Sequence, residues 1–187
     1  MPMVMTWDIA TTCGIVLGPA GGAPKSTTLF LGGKGKGEPE KLLAMKLGAA
    51  DLLSRYRPDI LAYEAPLGGT QRDLLLGQLV GVLIAEAMAL QIRPVSFSLQ
   101  SVRKHFIGKH YSSRDFPQFA SEVKTRQRDM ARKAIKRMVM DRCAALGWDC
   151  HGSDDEGDAL ALWDCACATL AGAQSTPVGG LFEGMRK

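Results

Sequence analysis

The chain has 187 residues, with a hydrophobic fraction of 46% and a charged fraction of 22%, as expected of one soluble globular domain with a buried core. No apolar run approaches the roughly 20 residues that cross a bilayer, and no secretory signal stands out, so we expect a cytoplasmic protein without a membrane partner. The five cysteines show no paired CxxC spacing, so we expect neither a disulfide framework nor a standard zinc module. The net charge of +4 is uneven, because the segment from Arg103 to Arg142 carries twelve Lys/Arg against four Asp/Glu.

The first part of the chain predicts strands that end on acids. Three strands in a meander are predicted at residues 4–9, 14–17 and 27–31. The first of these reaches Asp8 before a tight turn, and a fourth strand at residues 60–64 ends on Glu64. An ionised carboxylate beside a buried strand is costly unless something pairs with it. Together with the acidic start of the last helix, described below, two such acids indicate a shared cation site.

Two helices follow these strands. Pro39 favours a helix start, and we predict a helix over residues 39–56 with an apolar face that comprises Leu42, Leu43, Met45, Leu47, Ala50, Leu52 and Leu53. After a loop at residues 68–71, the helix predicted at residues 72–90 is apolar nearly all round. Such a helix is buried or packs on a partner chain.

The basic part of the chain begins with a fifth strand at residues 94–97 and a short helix or turn at residues 99–106. Residues 108–124 show little periodicity and predict a mobile loop. A long basic amphipathic helix is predicted at residues 126–146, with Met130, Ala134, Met138 and Ala145 along its apolar side.

An acidic cluster starts the last helix. Ser153 or Asp154 is placed to cap its N-terminus, and Gly172 closes it. Asp155 and Asp158 are three residues apart, so both carboxylates project from one face of the first turn. We predict one domain over residues 1–172, and a flexible tail at residues 173–187, where no period is sustained.

These motifs, in this order, resemble one family. Asp8 with its Thr/Gly turn, Tyr63-Glu64 and Asp155-x-x-Asp158-Ala-Leu-Ala are similar to the RuvC family of Holliday junction resolvases, and the resemblance extends over residues 4–168. It implies an α/β, ribonuclease H-like fold with a five-stranded mixed sheet flanked by helices. It also implies a crossover junction endodeoxyribonuclease of a bacterium or a phage-infected cell, with branched DNA as its partner. The apolar helix at residues 72–90 would form a homodimer interface.

The chemistry of phosphodiester hydrolysis gives the four acids a role. Two divalent cations held by carboxylates activate water and neutralise the leaving oxygen in many nucleases, and oxygen ligands suit Mg²⁺ or Mn²⁺. We expect Asp8 to bridge two ions, Glu64 and Asp158 to bind one each, and Asp155 to complete the set. No small-molecule cofactor is expected. Asp154 and Glu156 flank the pair and are alternatives to Asp155, although a solvated first turn is the simpler interpretation of both.

The basic residues predict contacts to DNA phosphates, which need no sequence readout. The predicted contacts after the fifth strand, where the resembled family places DNA-binding lysines, are Arg103, Lys104, Lys109 and Arg114. Those on the basic helix are Arg132, Lys133, Lys136 and Arg137.

Two positions depart from the cellular members of the resembled family. The spacing from Asp8 to Gly14 is one residue shorter and is closer to phage-type relatives. Leu67 stands where cellular members carry an aromatic residue three positions after the Glu. Nuclease chemistry is therefore better supported than selectivity for a junction.

Three other functions share parts of this pattern. A sugar-kinase or actin-like ATPase also combines such a sheet with an Asp-x-x-Thr turn, but it needs a second domain that a chain of 187 residues does not supply. A flap, branched-DNA or RNA-directed nuclease would keep the site and change the substrate. A non-catalytic nucleic-acid-binding protein would keep the fold, although all four acids are present.

Overall fold

The fold is built on a mixed five-stranded sheet, seen in a computed structural model that describes residues 1–33, 35–66 and 71–172, with the backbone alone for residues 71–73. The strands are β1 (Met3–Asp8), β2 (Thr12–Pro19), β3 (Lys25–Phe30), β4 (Ile60–Glu64) and β5 (Pro94–Phe97). Their spatial order is β3-β2-β1-β4-β5. The three N-terminal strands pair antiparallel, whereas β1, β4 and β5 run parallel, which confirms the predicted mixed sheet.

Helices cover both faces of the sheet. They are α1 (Glu38–Tyr56), α2 (Gln71–Ala89), α3 (Leu99–Ile107), α4 (Lys124–Ala145) and α5 (Asp154–Leu170). Side chains alternate along a strand, so Met5 and Trp7 of β1 join the core under α1 and α2, while Val4 joins the core under α3, α4 and α5. Within the described ranges, no helix is both long and apolar enough to cross a membrane.

Parallel pairing sets the two strand-terminal acids side by side. Trp7 of β1 is in register with Tyr63 of β4, so the next residues, Asp8 and Glu64, end both strands at the same edge of the sheet. Thr6 faces α5. Because every second side chain of a strand points to the same face of the sheet, Asp8 also points toward α5. The predicted strand ends are thereby confirmed, and they bring the two carboxylates to one place.

Helix α5 lies directly on the backbone of β1 and β2. The Thr6 hydroxyl donates a hydrogen bond of 2.9 Å to the Ala159 carbonyl, and the Trp163 indole donates one of 3.2 Å to the Val4 carbonyl. The first turn of the helix is closest at Gly14, where an added Cβ would lie 2.0 Å from the carbonyl oxygen of Asp155. Only glycine leaves room for this approach.

The core-facing side of α1 differs from the prediction. Met45, Ala49 and Leu53 are buried, whereas Leu43 and Leu47 are 56% and 62% exposed. The leucines lie all round this helix, so their positions in the sequence leave its rotation undetermined. Packing on the sheet settles that rotation through the i, i+4, i+8 series.

The predicted apolar side of α4 is also wrong, by one residue. The buried series is Ala131, Ile135, Val139, Arg142 and Cys143, while the predicted Met130, Ala134 and Met138 are half-buried and Ala145 is exposed. The branched side chains of Ile135 and Val139 fill the core in place of the flexible methionines. The basic residue in this series, Arg142, is buried with its guanidinium 5.2 Å from the centre of the Phe106 ring.

The segment between α3 and α4 is irregular, as predicted, but it is packed against the core. It contains two short 3-10 turns, Ser113–Asp115 and Pro117–Phe119. Phe116 is buried, with ring centroids 5.9 Å from Phe119 and 6.0 Å from Tyr111. Of the predicted loop at residues 68–71, residues 68–70 lie outside the described residues, and Gln71 is the first residue of α2. Leu67 and the tail at residues 173–187 also lie outside the described residues.

We predict that Gly14→Ala destabilises the protein by about 1–3 kcal/mol, because the new methyl group forces α5 away from β2. Urea unfolding followed by circular dichroism measures the change. The matched control is Gly33→Ala, where an added Cβ would meet its nearest neighbour, Phe30, at 4.0 Å. The control should shift the free energy of unfolding by less than about 0.5 kcal/mol; equal effects at the two positions would refute the close approach.

Candidate active site

The four acids singled out in the sequence line one cleft. It has a volume of about 360 Å³ and lies at the edge of the sheet where β1 and β4 end. Asp8 and Glu64 come from the strands, and Asp155 and Asp158 come from the first turn of α5. Asp155 and Asp158 face the same space, as their spacing predicts.

The start of α5 is fixed by its cap. The backbone N–H of Glu156 donates to the Ser153 hydroxyl at 3.3 Å, which identifies Ser153 as the N-cap. The positive end of the helix dipole favours the carboxylates of this turn. The predicted helix start is confirmed, and it sets the rotation that aims Asp155 and Asp158 into the cleft.

Burial and mutual repulsion make these carboxyl groups weak acids. Burial raises the pKa of Asp8 well above its ordinary value, and the charges of Asp158, Glu64 and Asp155 raise it further. Burial also raises the pKa of Glu64 to about 7, with a contribution from Asp158. The pKa values of Asp155 and Asp158 are raised by burial in the same way. The site therefore requires positive charge to hold all four groups ionised.

Three cationic side chains line the same cleft. Arg103 comes from α3, and Arg132 and Lys136 come from one face of α4. The Lys136 ammonium lies 2.6 Å from a carboxylate oxygen of Asp154, 3.6 Å from Asp158 and 3.9 Å from Asp155. Its side chain is only 17% exposed. The sequence marked Lys136 as a DNA contact but gave no sign that it enters the acid cluster.

The donor set of the cleft fits a hard divalent cation. Its described lining offers four carboxylates and neither a thiol nor an imidazole, which matches Mg²⁺ or Mn²⁺ rather than zinc. Across the described ranges, no three acidic, histidine or cysteine side chains are grouped tightly enough to hold one ion. In this arrangement the positive charge nearest to Asp155 and Asp158 is the Lys136 ammonium.

The flanking acids do not enter the cleft. Asp154 is half-exposed and binds Lys136. Glu156 is 5% exposed, accepts a hydrogen bond from the Ser26 hydroxyl of β3, and lies 2.9 Å from Nδ1 of His151. The expectation of a solvated Glu156 is therefore wrong, because this carboxylate ties the α4–α5 connection to the sheet.

The other five predicted DNA contacts lie outside the cleft lining. They are Lys104, Lys109, Arg114, Lys133 and Arg137, all of them exposed. Lys109 forms an ion pair with Asp115, and Arg137 pairs with Asp141 at 3.3 Å. The structure thus gathers Arg103, Arg132 and Lys136 beside the acids. Ile9, Ala10, Leu76 and Leu99, which the sequence did not mark, complete the lining.

The fold is similar to that of solved resolvase structures. RuvC of Thermus thermophilus in complex with a Holliday junction substrate superposes with a TM-score of 0.66 at 16% identity, covering 94% of this chain and 100% of that one. A second Thermus thermophilus RuvC structure gives 0.64 at 16% identity, with coverages of 91% and 97%. The yeast mitochondrial Holliday junction resolvase gives 0.54 at 12% identity, with coverages of 88% and 77%. No family model and no curated protein matches the sequence. The likeness establishes the predicted ribonuclease H-like fold.

We predict that the metal-free protein loses stability as the pH rises from 4.5 to about 7. The folded state holds the Glu64 proton more tightly than the unfolded state does, so this stabilisation is complete below pH 4.5 and disappears as the pH passes about 7. In the Glu64→Gln variant the free energy of unfolding should decrease less between these pH values, because a neutral amide does not titrate. Urea unfolding in EDTA at a series of pH values measures it.

The control for this measurement is Glu38→Gln, at an exposed position in the first turn of α1. It should retain the pH dependence of the unchanged protein. If the protein and its Glu64→Gln variant gave parallel curves, Glu64 would not have the raised pKa.

Proposed function

Because this chain has the fold of the RuvC Holliday junction resolvases, we propose that the protein is a metal-dependent endonuclease. It would hydrolyse phosphodiester bonds in four-way or related branched DNA. One observation carries the proposal. Four carboxylates with raised pKa values share a single cleft with three cationic side chains. Such a cleft is suited to a cation and a phosphate together.

Asp8, Glu64, Asp155 and Asp158 would hold the divalent ions, and we propose two ions of Mg²⁺ or Mn²⁺. When bound, such ions supply Lewis acidity, an activated water and a neutralised leaving oxygen. Asp8 would be the central member of this set, because its carboxyl interacts electrostatically with each of the other three acids. The chain's own part is to fix these oxygens on two adjacent strands and one capped helix.

The cationic side chains would orient the phosphate. Arg103 lines the cleft, so its guanidinium can donate to a phosphate oxygen that enters there. Arg132 lines the same space from α4. The exposed Lys104 and Lys133 extend this positive surface, which supports backbone contacts that do not depend on sequence.

The cleft is compatible with other nucleic-acid substrates. A flap, another branched DNA or an RNA would meet the same carboxylates and cations, and a binding protein without cleavage would use the cations alone. We favour branched DNA because the similar structures are resolvases, one of them bound to a Holliday junction. We also propose a cytoplasmic location and a phage-type affiliation, the latter on the short spacing from Asp8 to Gly14.

We propose a homodimer formed through α2. Leu74 and Met88 of this helix are 67% and 55% exposed, so a second chain would cover apolar surface that is now in water. A dimer with two-fold symmetry presents two identical clefts, which suits the paired cuts that a four-way junction needs.

The dimer predicts that Leu74→Glu converts the protein to a monomer, because a buried carboxylate at the interface is costly. Sedimentation equilibrium should give twice the monomer mass for the unchanged protein. Val123→Glu is the matched control, since Val123 is 77% exposed and lies just before α4, on the other face of the sheet. A monomer at every concentration of the unchanged protein would rule out the dimer.

The nuclease predicts symmetrical, Mg²⁺-dependent nicks in an end-labelled four-way junction, with little cutting of plain duplex. Asp8→Asn should lower the cleavage rate on the order of a hundredfold to a thousandfold, because it removes a charge from the centre of the acid cluster. Asp51→Asn, on the exposed surface of α1, should cleave at the unchanged rate. Denaturing gels with Mg²⁺ or EDTA measure the products.

A preference for flaps in this assay would keep the site and change the substrate class. Binding of the junction without cleavage, in Mg²⁺ and in Mn²⁺ alike, would exclude the enzyme and leave a binding protein.

A further inference from the structure

The position of Lys136 has a consequence for metal binding. We infer that Lys136 is an internal counter-ion, which holds Asp155 and Asp158 before a divalent ion binds and which that ion must displace. This inference rests on the proposed metal site and goes further, because it makes one lysine the residue that sets the metal affinity.

The contacts of the ammonium define its place. Its distances to the Asp158 and Asp155 oxygens are 3.6 and 3.9 Å, so both acids lie within the direct electrostatic reach of one positive charge. With 17% of its side chain exposed, Lys136 is shielded from solvent. It therefore neutralises the acids more effectively than a surface lysine would.

Asp154 gives the Lys136 ammonium a second anionic partner. The shortest contact of Lys136, at 2.6 Å, is to this residue, which lies outside the cleft lining and has a side chain that is 51% exposed. A lysine has a flexible four-carbon stem, so the ammonium can turn toward Asp154 and leave Asp155 and Asp158. The pair with Asp154 persists in that position, and the charge stays compensated.

The same movement links metal binding to DNA binding. If Asp155 and Asp158 held a divalent ion, the Lys136 ammonium would turn from them toward Asp154, near Arg132, which also lines the cleft. A DNA phosphate that entered the cleft would meet both cations there. Because coupling of two binding events is reciprocal, DNA that engages the ammonium would also favour the metal.

Calorimetric titration of the DNA-free protein with Mn²⁺ at pH 8.5 tests the displacement. Lys136→Met should bind the ion more tightly, on the order of tenfold, since the competing charge is gone. The control is Lys124→Met, which removes a lysine from the same helix twelve residues away, about 18 Å along its axis. Its Mn²⁺ affinity should equal that of the unchanged protein.

Thermal unfolding in EDTA provides a second readout. Lys136→Met should melt at a lower temperature than the unchanged protein and recover when Mg²⁺ is added, whereas Lys136→Arg, which keeps the charge, should melt close to the unchanged protein. If Lys136→Met does not fold, reductive ¹³C-methylation of the unchanged protein reports on the same group. The Lys136 methyl resonance, assigned by its loss in Lys136→Arg, should shift on titration with Mg²⁺.

The outcomes separate this inference from the proposed function. Equal Mn²⁺ affinities of the unchanged protein and Lys136→Met, or a methyl resonance that does not respond to Mg²⁺, would overturn the counter-ion while the metal site stands. If neither protein binds Mn²⁺ or Mg²⁺, the metal site and the inference fail together.

Discussion

Repulsion among four partly buried carboxylates is the constraint on which this structure depends. Two like charges 4 Å apart cost about 4 kcal/mol at an effective dielectric constant near 20, a large share of the stability of a domain. The chain meets this cost with cations from two neighbouring helices, Arg103 from α3 and Arg132 and Lys136 from α4. The same cations make an acidic cleft attractive to a polyanion. The arrangement that offsets this repulsion is thus also the one on which the proposed binding of DNA depends.

Local signals made much of the site predictable. Asp8 and Glu64 end apolar strands, and Ser153 caps the helix that carries Asp155 and Asp158, so short stretches of sequence fixed their placement. The parts that were missed depend on tertiary packing. Leucines lie on all sides of α1, and small or flexible apolar residues lie on several sides of α4. Only packing against the sheet determines which side of each helix is buried.

Contacts between distant segments were equally hidden. The residues around Gly14 do not predict its close approach to the carbonyl of Asp155, 141 positions later. The residues around Glu156 do not predict its hydrogen bond with Ser26. These contacts decide how α5 is rotated. The fold is similar to that of a solved structure at only 16% identity, because strand ends and a capped helix can be encoded by many different residues.

The packing of α5 on the sheet restricts where residues can be inserted into or deleted from the chain. Leu160 and Trp163 are buried in the core, while Asp158 and Asp155 precede Leu160 in the same helix by two and five residues. One residue inserted between Asp158 and Leu160 would turn the acids by about 100° relative to the buried side chains, and the two groups would no longer be satisfied at once. Insertions are tolerable only outside the span from Ser153 to Leu170. Natural variants of this protein should therefore keep the span from Ser153 to Leu170 free of insertions and deletions.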